Sequence, residues 1–420
     1  MLFLSHRFPF PPDRGDRIRS YNVLRELAAA GAKVSLGCVT QEPTPAEHLE
    51  SIRRLCEGVA AVNTTRLGRA AGCVVSLARG RSATEGNFWS RGLARKVSGW
   101  AEESRFDAVY CFCSGMYPYT RLPGLRNTPQ LVDLVDVDSR KWADCAERSS
   151  GWAARLQALE SRRVGGLERR IAAEAAKVFV ISNEEREVLR GVAPGADAVV
   201  AANGVDADYF ALPSGTAPDP ETCVFVGVLN YQPNVDAMCW FVDAVWPLLK
   251  SRRPAARLRI VGRTPSPAVR RLGDAPGIEI VASPPDVRPL IAQSAVAVAP
   301  LRIARGVQNK VLEAMAMQRP VVASGAALTG ISATPGEDLL RAESPEDWAN
   351  VLIGLFDAPD RREQMGRLAR SYVLRRHVWK ETLRPIIHAA TEIAERRQAQ
   401  PSGQRPIEQA GSGVATSAAP

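Results

Sequence analysis

The chain has 420 residues, 45% hydrophobic and 24% charged, which is the composition of a folded protein with length for two or three domains. No run of about 18 apolar residues occurs, which excludes a membrane-spanning helix, and MLFLSHRFPF lacks the ordered regions of a signal peptide. The formal net charge is +9, and residues 51–100 carry nine Arg and Lys against Glu57 and Glu85. An anionic membrane surface or a phosphorylated ligand suits that segment; nucleic acid is not expected, because no recognition motif accompanies it. Eight cysteines without a CxxC pair and four histidines provide neither a disulfide framework nor a zinc spacing, so no metal centre is expected. Cys111 and Cys113 are expected on one strand face, as packing. A reducing cytoplasm is the expected compartment.

In chain order, short Val-rich runs bounded by Gly, Pro or Asp read as buried parallel strands at 1–5, 33–40, 107–112, 130–135, 177–182 and 197–201. A second series follows at 222–227, 257–262, 277–282, 295–299 and 320–324. Helical patterns lie between the runs, so the fold class is α/β with two doubly wound, Rossmann-like domains. The Pro/Gly/Ser/Ala stretch around 211–221 separates the series. Residues 1–205 are therefore read as the N-terminal domain, 206–221 as the linker and 222–396 as the C-terminal domain, whose last helices are free to pack back on the first. Residues 397–420 lack apolar periodicity and are expected to be a disordered tail. Ligands in doubly wound sheets bind beyond the carboxyl ends of strands, so the interdomain cleft is the natural site.

The loop after the first run, PFPPDRGDRIRS, enters a helix. Gly15 is expected to relieve crowding at its start, where free amides with Arg17 or Arg19 hold an anion; a plain strand-to-helix turn is the alternative. In 88–100, Trp89, Leu93, Val97 and Trp100 among basic residues are the better interfacial candidate, with a packing helix the favoured alternative, whereas Trp152, Leu156, Leu159 and Leu167 read as core. The segment QLVDLVDVDSRKW places Asp133, Asp136 and Asp138 on one face if the strand continues that far. Those carboxylates suit acid–base or hydroxyl-binding work, Asp136-Val137-Asp138 mimics a metal-holding Asp-x-Asp, and Asp138-Ser139 can equally cap the next helix.

Asn203-Gly204 reads as a tight turn. Gly227 ends a strand where a ligand can approach closely, and Asn234 or Asp236 is expected to cap the helix that follows. In RIARGVQNKVLEAMAMQRPVVAS, the loop Arg305-Gly306-Val307-Gln308 leads into a helix at Asn309 whose free N–H groups suit a diphosphate. Lys310 adds charge in the first turn, and Glu313 is placed to accept from sugar or ribose hydroxyls, or simply to complement the helix dipole.

Taken together, HRFPFPPDRGDRIRSYNVLREL, VFVISNEER, NGVDADYF, FVGVLNYQPNVDAMCWF, GVQNKVLEAMAMQRPVVAS and ARSYVLRRHVWKETL resemble the retaining glycosyltransferases of family 4. The opening, DVDSRKW and QNKVLEAMA look most like the exosortase-A-associated sugar transferases of bacterial exopolysaccharide loci. The resemblance implies the GT-B architecture, a nucleoside-diphosphate-sugar donor, no cofactor and no metal. It also implies a lipid-linked glycan acceptor, met by an enzyme peripheral to the inner face of the cytoplasmic membrane. On the donor side it implies Gly15, Arg17, Gly227, Gly306, Val307, Gln308, Lys310 and Glu313, the last matching the second Glu of the family's Glu-x7-Glu motif. On the acceptor side it implies His6, Arg7 and Asp138, with Asp136 and Lys310 in catalytic positions. The chain departs from the pattern at Arg305, where the first Glu of that motif would stand. It departs again at Val228 and Asn234, where an Arg and a Lys usually clamp the diphosphate; Lys310 is expected to supply the missing charge. A sugar-nucleotide epimerase and a non-catalytic sugar-nucleotide- or glycan-binding subunit are the alternative functions.

Overall fold

The computed structural model describes residues 1–213, 215–304 and 307–399; Arg305, Gly306 and the segment beyond Ala399 lie outside it. Two parallel sheets form, as the alternating pattern predicts. The first contains β1 (Leu2–Ser5), β2 (Ser35–Thr40), β3 (Gly58–Asn63), β4 (Val109–Phe112), β5 (Gln130–Val135), β6 (Lys177–Val180) and β7 (Ala198–Val200) in the order β3-β2-β1-β4-β5-β6-β7. The second contains β8 (Asp219–Val226), β9 (Arg257–Gly262), β10 (Ile278–Ala282), β11 (Ser294–Ala299), β12 (Val321–Ala323) and β13 (Leu340–Arg341) in the order β10-β9-β8-β11-β12-β13. Strand order reverses between β1 and β4 in one sheet and between β8 and β11 in the other. These are the switch points where helices leave to opposite faces and open a crevice. The edge strands β3 and β13 escape the sequence reading. GVAAVN is as apolar as the runs assigned to strands and is passed over all the same, whereas β13 has two residues and makes no run.

The helices that matter for the site are α1 (Gly15–Ala29), α2 (Arg66–Ala78), α3 (Ala83–Phe88), α4 (Arg91–Glu103), α5 (Asp138–Glu147), α6 (Gly151–Glu174), α7 (Gln232–Trp240), α8 (Asn309–Ala316), α9 (Pro359–Arg376) and α10 (Arg384–Ala399). The chain passes between the sheets twice, and the two passes touch: Val205 N donates to His377 O at 2.7 Å. Gly204 is not a turn residue. It lies against this second pass, and a Cβ there would stand 2.7 Å from Trp379 N, so only glycine lets the two backbones meet. Beyond the crossing, Trp379, Leu383 and Ile386 are buried in the same cluster as Phe3, Leu36 and Phe179 of the first sheet. The helix α10 runs to Ala399, taking in the first three residues of the expected tail, and Arg397 donates to Phe106 O at 2.8 Å.

Of the two amphipathic segments, 88–100 takes the packing alternative and 152–171 departs from its expected place as core. Leu93 and Val97 of α4 are fully buried and Trp100 packs partly against the same core, so α4 is a packing helix. Trp152, Leu156 and Leu159 of α6 are 76%, 50% and 38% exposed, and of that row only Leu167 is core. Periodicity shows that a helix has an apolar side; the neighbours decide whether that side is covered.

Candidate active site

At the switch point of the first sheet the loops after β1, β4, β5 and β6 enclose a cavity of about 440 Å³, whose walls include His6, Asp16, Cys113, Asp136, Asp138 and Lys141. His6 follows β1 directly. Its ring stacks on Phe112 with centroids 5.6 Å apart and meets the edge of Phe88 at 5.2 Å, while Nε2 lies 3.5 Å from Asp16 Oδ2. Burial disfavours charge on this imidazole, but Cys113 and Asp16 outweigh it and raise its pKa to about 9. Burial likewise works to raise Asp16, yet the bond from His6 and the Arg7 guanidinium, 2.7 Å away, hold that carboxyl well below the usual range. Arg7 is thus a clamp on Asp16, and His6 Nδ1 is buried without a partner.

Gly15 is the first residue of α1, and a Cβ added there meets nothing within 4 Å, so it does not relieve crowding as expected. Arg17 turns back to Asp13 at 3.2 Å. Arg19 points inward: Nε and Nη2 grip Asp133 at 2.8 and 3.2 Å, Nη1 donates to Asn203 at 3.1 Å, and Tyr110 OH donates to Asp133 at 2.6 Å. Arg19 and Asp133 are 1% and 0% exposed. This pair ties α1 to β5 and underlies the cleft.

The three aspartates therefore do not share a face. Asp133 stands three residues before Asp136, an odd spacing that alternation sends to opposite faces, and β5 ends at Val135, where φ is 68° and the pairing with β6 shifts. Asp133 stays inside while Asp136 and Asp138 turn to the cavity. There Lys141 Nζ sits between them, 2.7 Å from Asp136 and 3.3 Å from Asp138. The space an Asp-x-Asp metal would need is filled by that ammonium. Asp138 opens α5 without a side-chain capping bond and accepts from Ser114 at 3.2 Å. Beneath it, Glu168 is fully buried and accepts from Ser139 N at 3.1 Å and from the Ser139 hydroxyl; burial, opposed by those bonds, pushes its carboxyl up to about 7. Cys113 also leaves its expected place: at φ 72° it departs from β4 and lines the cavity, whereas Cys111 is core.

At the second switch point, Lys310 in the first turn of α8 donates to Asn234 Oδ1 at 2.6 Å, and its ammonium lies 4.5 Å from the Phe225 ring centroid. Burial lowers Lys310 to about 8 although Glu313 opposes the shift, and burial raises Glu313 to about 7 against the pull of Lys310. Neither Asn234 nor Asp236 caps α7. That helix starts at Gln232 with Tyr231 as its cap; Asn234 donates to Val228 O at 2.9 Å, and Asp236 pairs with Arg302 at 3.4 Å. Gly227 is needed for Asn234: a Cβ on it would lie 2.8 Å from Asn234 Nδ2. Gln308 precedes α8 as its N-cap residue, and Val307 packs against Gly330. Gly306 lies outside the described residues. The two loop systems touch where Arg263, after β9, donates to Asp13 O at 3.0 Å.

Asp16, Lys141, Asn203 and Glu168 are parts of this site to which the sequence reading gives no site role, Asn203 being read there only as a turn residue. Asp16 and Lys141 stand inside quoted segments and carry charge, which is a signal. Asn203 and Glu168 reach their partners from more than 25 residues away, and no local pattern announces them.

Residues 15–204 match the family model of the glycosyl transferase 4-like domain, and residues 220–358 match that of glycosyl transferases group 1. A comparison with curated proteins finds no match. Among solved structures, sucrose-phosphate synthase from Thermosynechococcus elongatus superposes with TM-score 0.63 at 15% identity, covering 94% of this chain and 98% of that one. TarM superposes with TM-score 0.63 at 10% identity, over 93% and 98% of the two chains; a TarM is also known from S. aureus. HepE of Anabaena, solved in complex with UDP-glucose, superposes with TM-score 0.58 at 13% identity, over 95% and 99%. Identities this low speak for shared architecture, and the two family models, which together take in more than half of the chain, speak for the enzyme class. The chain is a glycosyltransferase of the GT-B fold, with a glycosyl transferase 4-like half followed by a glycosyl transferases group 1 half.

Proposed function

We propose that the enzyme takes a sugar from a nucleoside-diphosphate donor and transfers it, with retention at the anomeric carbon, to a lipid-linked exopolysaccharide precursor at the inner face of the cytoplasmic membrane. The observation that carries this reading is the opposition of two unlike loop systems at the two switch points. One offers a helix start with Lys310 and Glu313, the other a cavity with a protonated imidazole and two carboxylates. The first suits a diphosphate and ribose, the second a glycan acceptor. The Anabaena neighbour, solved with UDP and with UDP-glucose, supports a nucleotide-sugar donor. The sequence likeness to exosortase-A-associated transferases supports the polysaccharide acceptor.

In this scheme the amides that open α8 and the Lys310 ammonium stabilise charge that develops on the departing diphosphate, and Glu313 accepts from ribose hydroxyls. On the other side Asp136 and Asp138 accept from acceptor hydroxyls and orient one of them toward the sugar, so that catalysis is positioning plus charge stabilisation. Arg17 and Arg7 act one step back, through Asp13 and Asp16. No metal takes part, and activity is expected to survive strong chelation.

The test is a thermal-shift screen of nucleoside diphosphates and their sugar conjugates, with wild type beside Glu313→Ala. A ligand at about 100 times its Kd stabilises by about 2.7 kcal/mol. A melting shift selective for one base and abolished in Glu313→Ala is the expected result. A shift of equal size in the variant overturns the donor site, and interconversion of the donor without an acceptor identifies an epimerase instead.

A further inference from the structure

The amphipathic helix α2 is folded inside out. Leu67, Ala70, Ala71, Val74, Val75 and Ala78, at the 3–4 spacing of one helical stripe, are all exposed, with Leu67 at 84% and Val74 at 65%. The cause is on the other side of the helix. A Cβ on Gly72 would lie 2.4 Å from Gly86 O, and one on Gly86 would lie 2.2 Å from Gly72 O. Backbone-to-backbone contact with α3 therefore fixes the glycine face inward and the Leu/Val face outward.

A second exposed row begins beside it. Arg163 of α6 donates to Leu77 O and Arg81 O, at 3.1 and 2.9 Å, and so fastens α6 to the end of α2. Leu159, Leu156 and Trp152 follow Arg163 back along the same side of α6, at i−4, i−7 and i−11. Two uncovered apolar rows thus meet on one side of the N-terminal half, and contiguous apolar surface of this kind marks an interaction site.

The charge around the rows is of one sign. Residues 64–84 contain no acid, and 148–163 contain Glu160 alone, which is 5% exposed and accepts from Ala83 N, Thr84 N and the Thr84 hydroxyl. Arg66, Arg79, Arg81, Arg155 and Arg162 are exposed. An apolar stripe with an arginine rim matches the boundary between acyl chains and anionic headgroups, where arginine stems lie along apolar surface and their heads reach phosphate. The helix α3 links this face to the cleft: Gly86 packs on α2, while Thr84 and Phe88 line the N-terminal cavity.

We infer that α2 and the first half of α6 seat the enzyme on an anionic lipid bilayer, with Leu67, Val74, Val75, Trp152 and Leu156 entering the headgroup–acyl boundary. The bilayer then lies one helix away from the cavity given to the acceptor. The inference deepens the lipid-acceptor reading above, but its test uses neither donor nor acceptor, so failed vesicle binding and failed sugar transfer are separate results.

The full chain is floated with vesicles of equimolar phosphatidylglycerol and phosphatidylcholine, and with phosphatidylcholine alone. Wild type is expected to float with the anionic vesicles and to partition about tenfold less onto neutral ones or at high salt. The double variants Leu67→Glu/Val74→Glu and Arg79→Glu/Arg81→Glu are each expected to lose about tenfold or more of that binding, with unchanged melting temperature because all four side chains are exposed. Arg95→Glu/Lys96→Glu on α4 is the control, and it is expected to keep most of the binding. Absence of wild-type binding overturns the inference, as does full binding by Leu67→Glu/Val74→Glu. A wild-type dimer in lipid-free solution that this variant converts to monomer also overturns it, by assigning the face to a second copy.

Discussion

Lys310 Nζ meets Asn234 Oδ1 at 2.6 Å, across the gap between the first turns of α8 and α7, and Asn234 is in turn tied to Val228 O. Asn234, itself fixed by Val228 O, thus holds the lysine proposed above to meet the donor diphosphate. Its ammonium is positioned by the protein before any donor arrives.

Removal of that lysine follows directly. Under the proposed donor site, Lys310→Ala deletes a charged hydrogen-bond donor to the diphosphate, a contact worth about 1.5–3 kcal/mol, so donor affinity is expected to fall about tenfold to a hundredfold by calorimetric titration. Burial sets Lys310 near 8, so the wild-type affinity is expected to decline as pH rises through that value. Lys310→Arg, which stays charged, is expected to keep a flat profile. A wild-type profile flat to pH 9.5 would sink the assignment.

Beneath the cleft, Arg19 and Asp133 form a two-pronged pair with almost no exposure. Arg19→Met leaves the Asp133 carboxylate buried with only Tyr110 and a backbone amide, and the expected loss is about 3–5 kcal/mol in urea melts. Arg19→Lys is also expected to be destabilising, because an ammonium cannot make both bonds and reach Asn203 as well. A loss below about 1 kcal/mol in the Met variant would show the pair to be dispensable.

The proton on His6 depends on Asp16. With Asp16→Asn the carboxylate is gone while burial remains, so the imidazole is expected to titrate well below its present value of about 9. With four histidines in the chain, the ring signals are separable by NMR, and His6→Gln assigns the one of interest. An unmoved titration in Asp16→Asn would leave Cys113 as the cause.

At the crossing between the halves, His377 accepts from or donates to Tyr372 OH at 2.9 Å, its Nδ1 is buried without a partner, and burial, with Arg376 adding, lowers its pKa to about 4. The unfolded chain takes up this proton near pH 6.5 and the folded one does so only near 4, so the unfolded state binds more protons in between. Stability is therefore complete above about pH 6.5 and falls as pH drops toward 4, by about 3 kcal/mol for this group. Urea melts at pH 7 and pH 4.5 are expected to differ less in His377→Gln than in wild type.

Much of the molecule was legible in the order of residues. Apolar runs such as LFLS, VYCF and SAVAVA carry a strand's identity in their own composition, and their alternation with helical patterns carries the parallel sheets, because those are local properties of the chain. The helix at Asn309 with Lys310 and Glu313 in its first turns was legible for the same reason. What the tertiary structure decided is where side chains go once elements meet. Asp133, still within β5, is taken by Arg19, while Asp136 and Asp138, beyond the strand end and its shift of pairing at Asp133–Val135, are taken by Lys141. The Gly72–Gly86 contact turns α2 outward, while α4, with an equally apolar stripe, is covered. Spacing along a chain fixes which residues share a face; only the packing of one element on another determines whether that face is a core, a cleft or a surface.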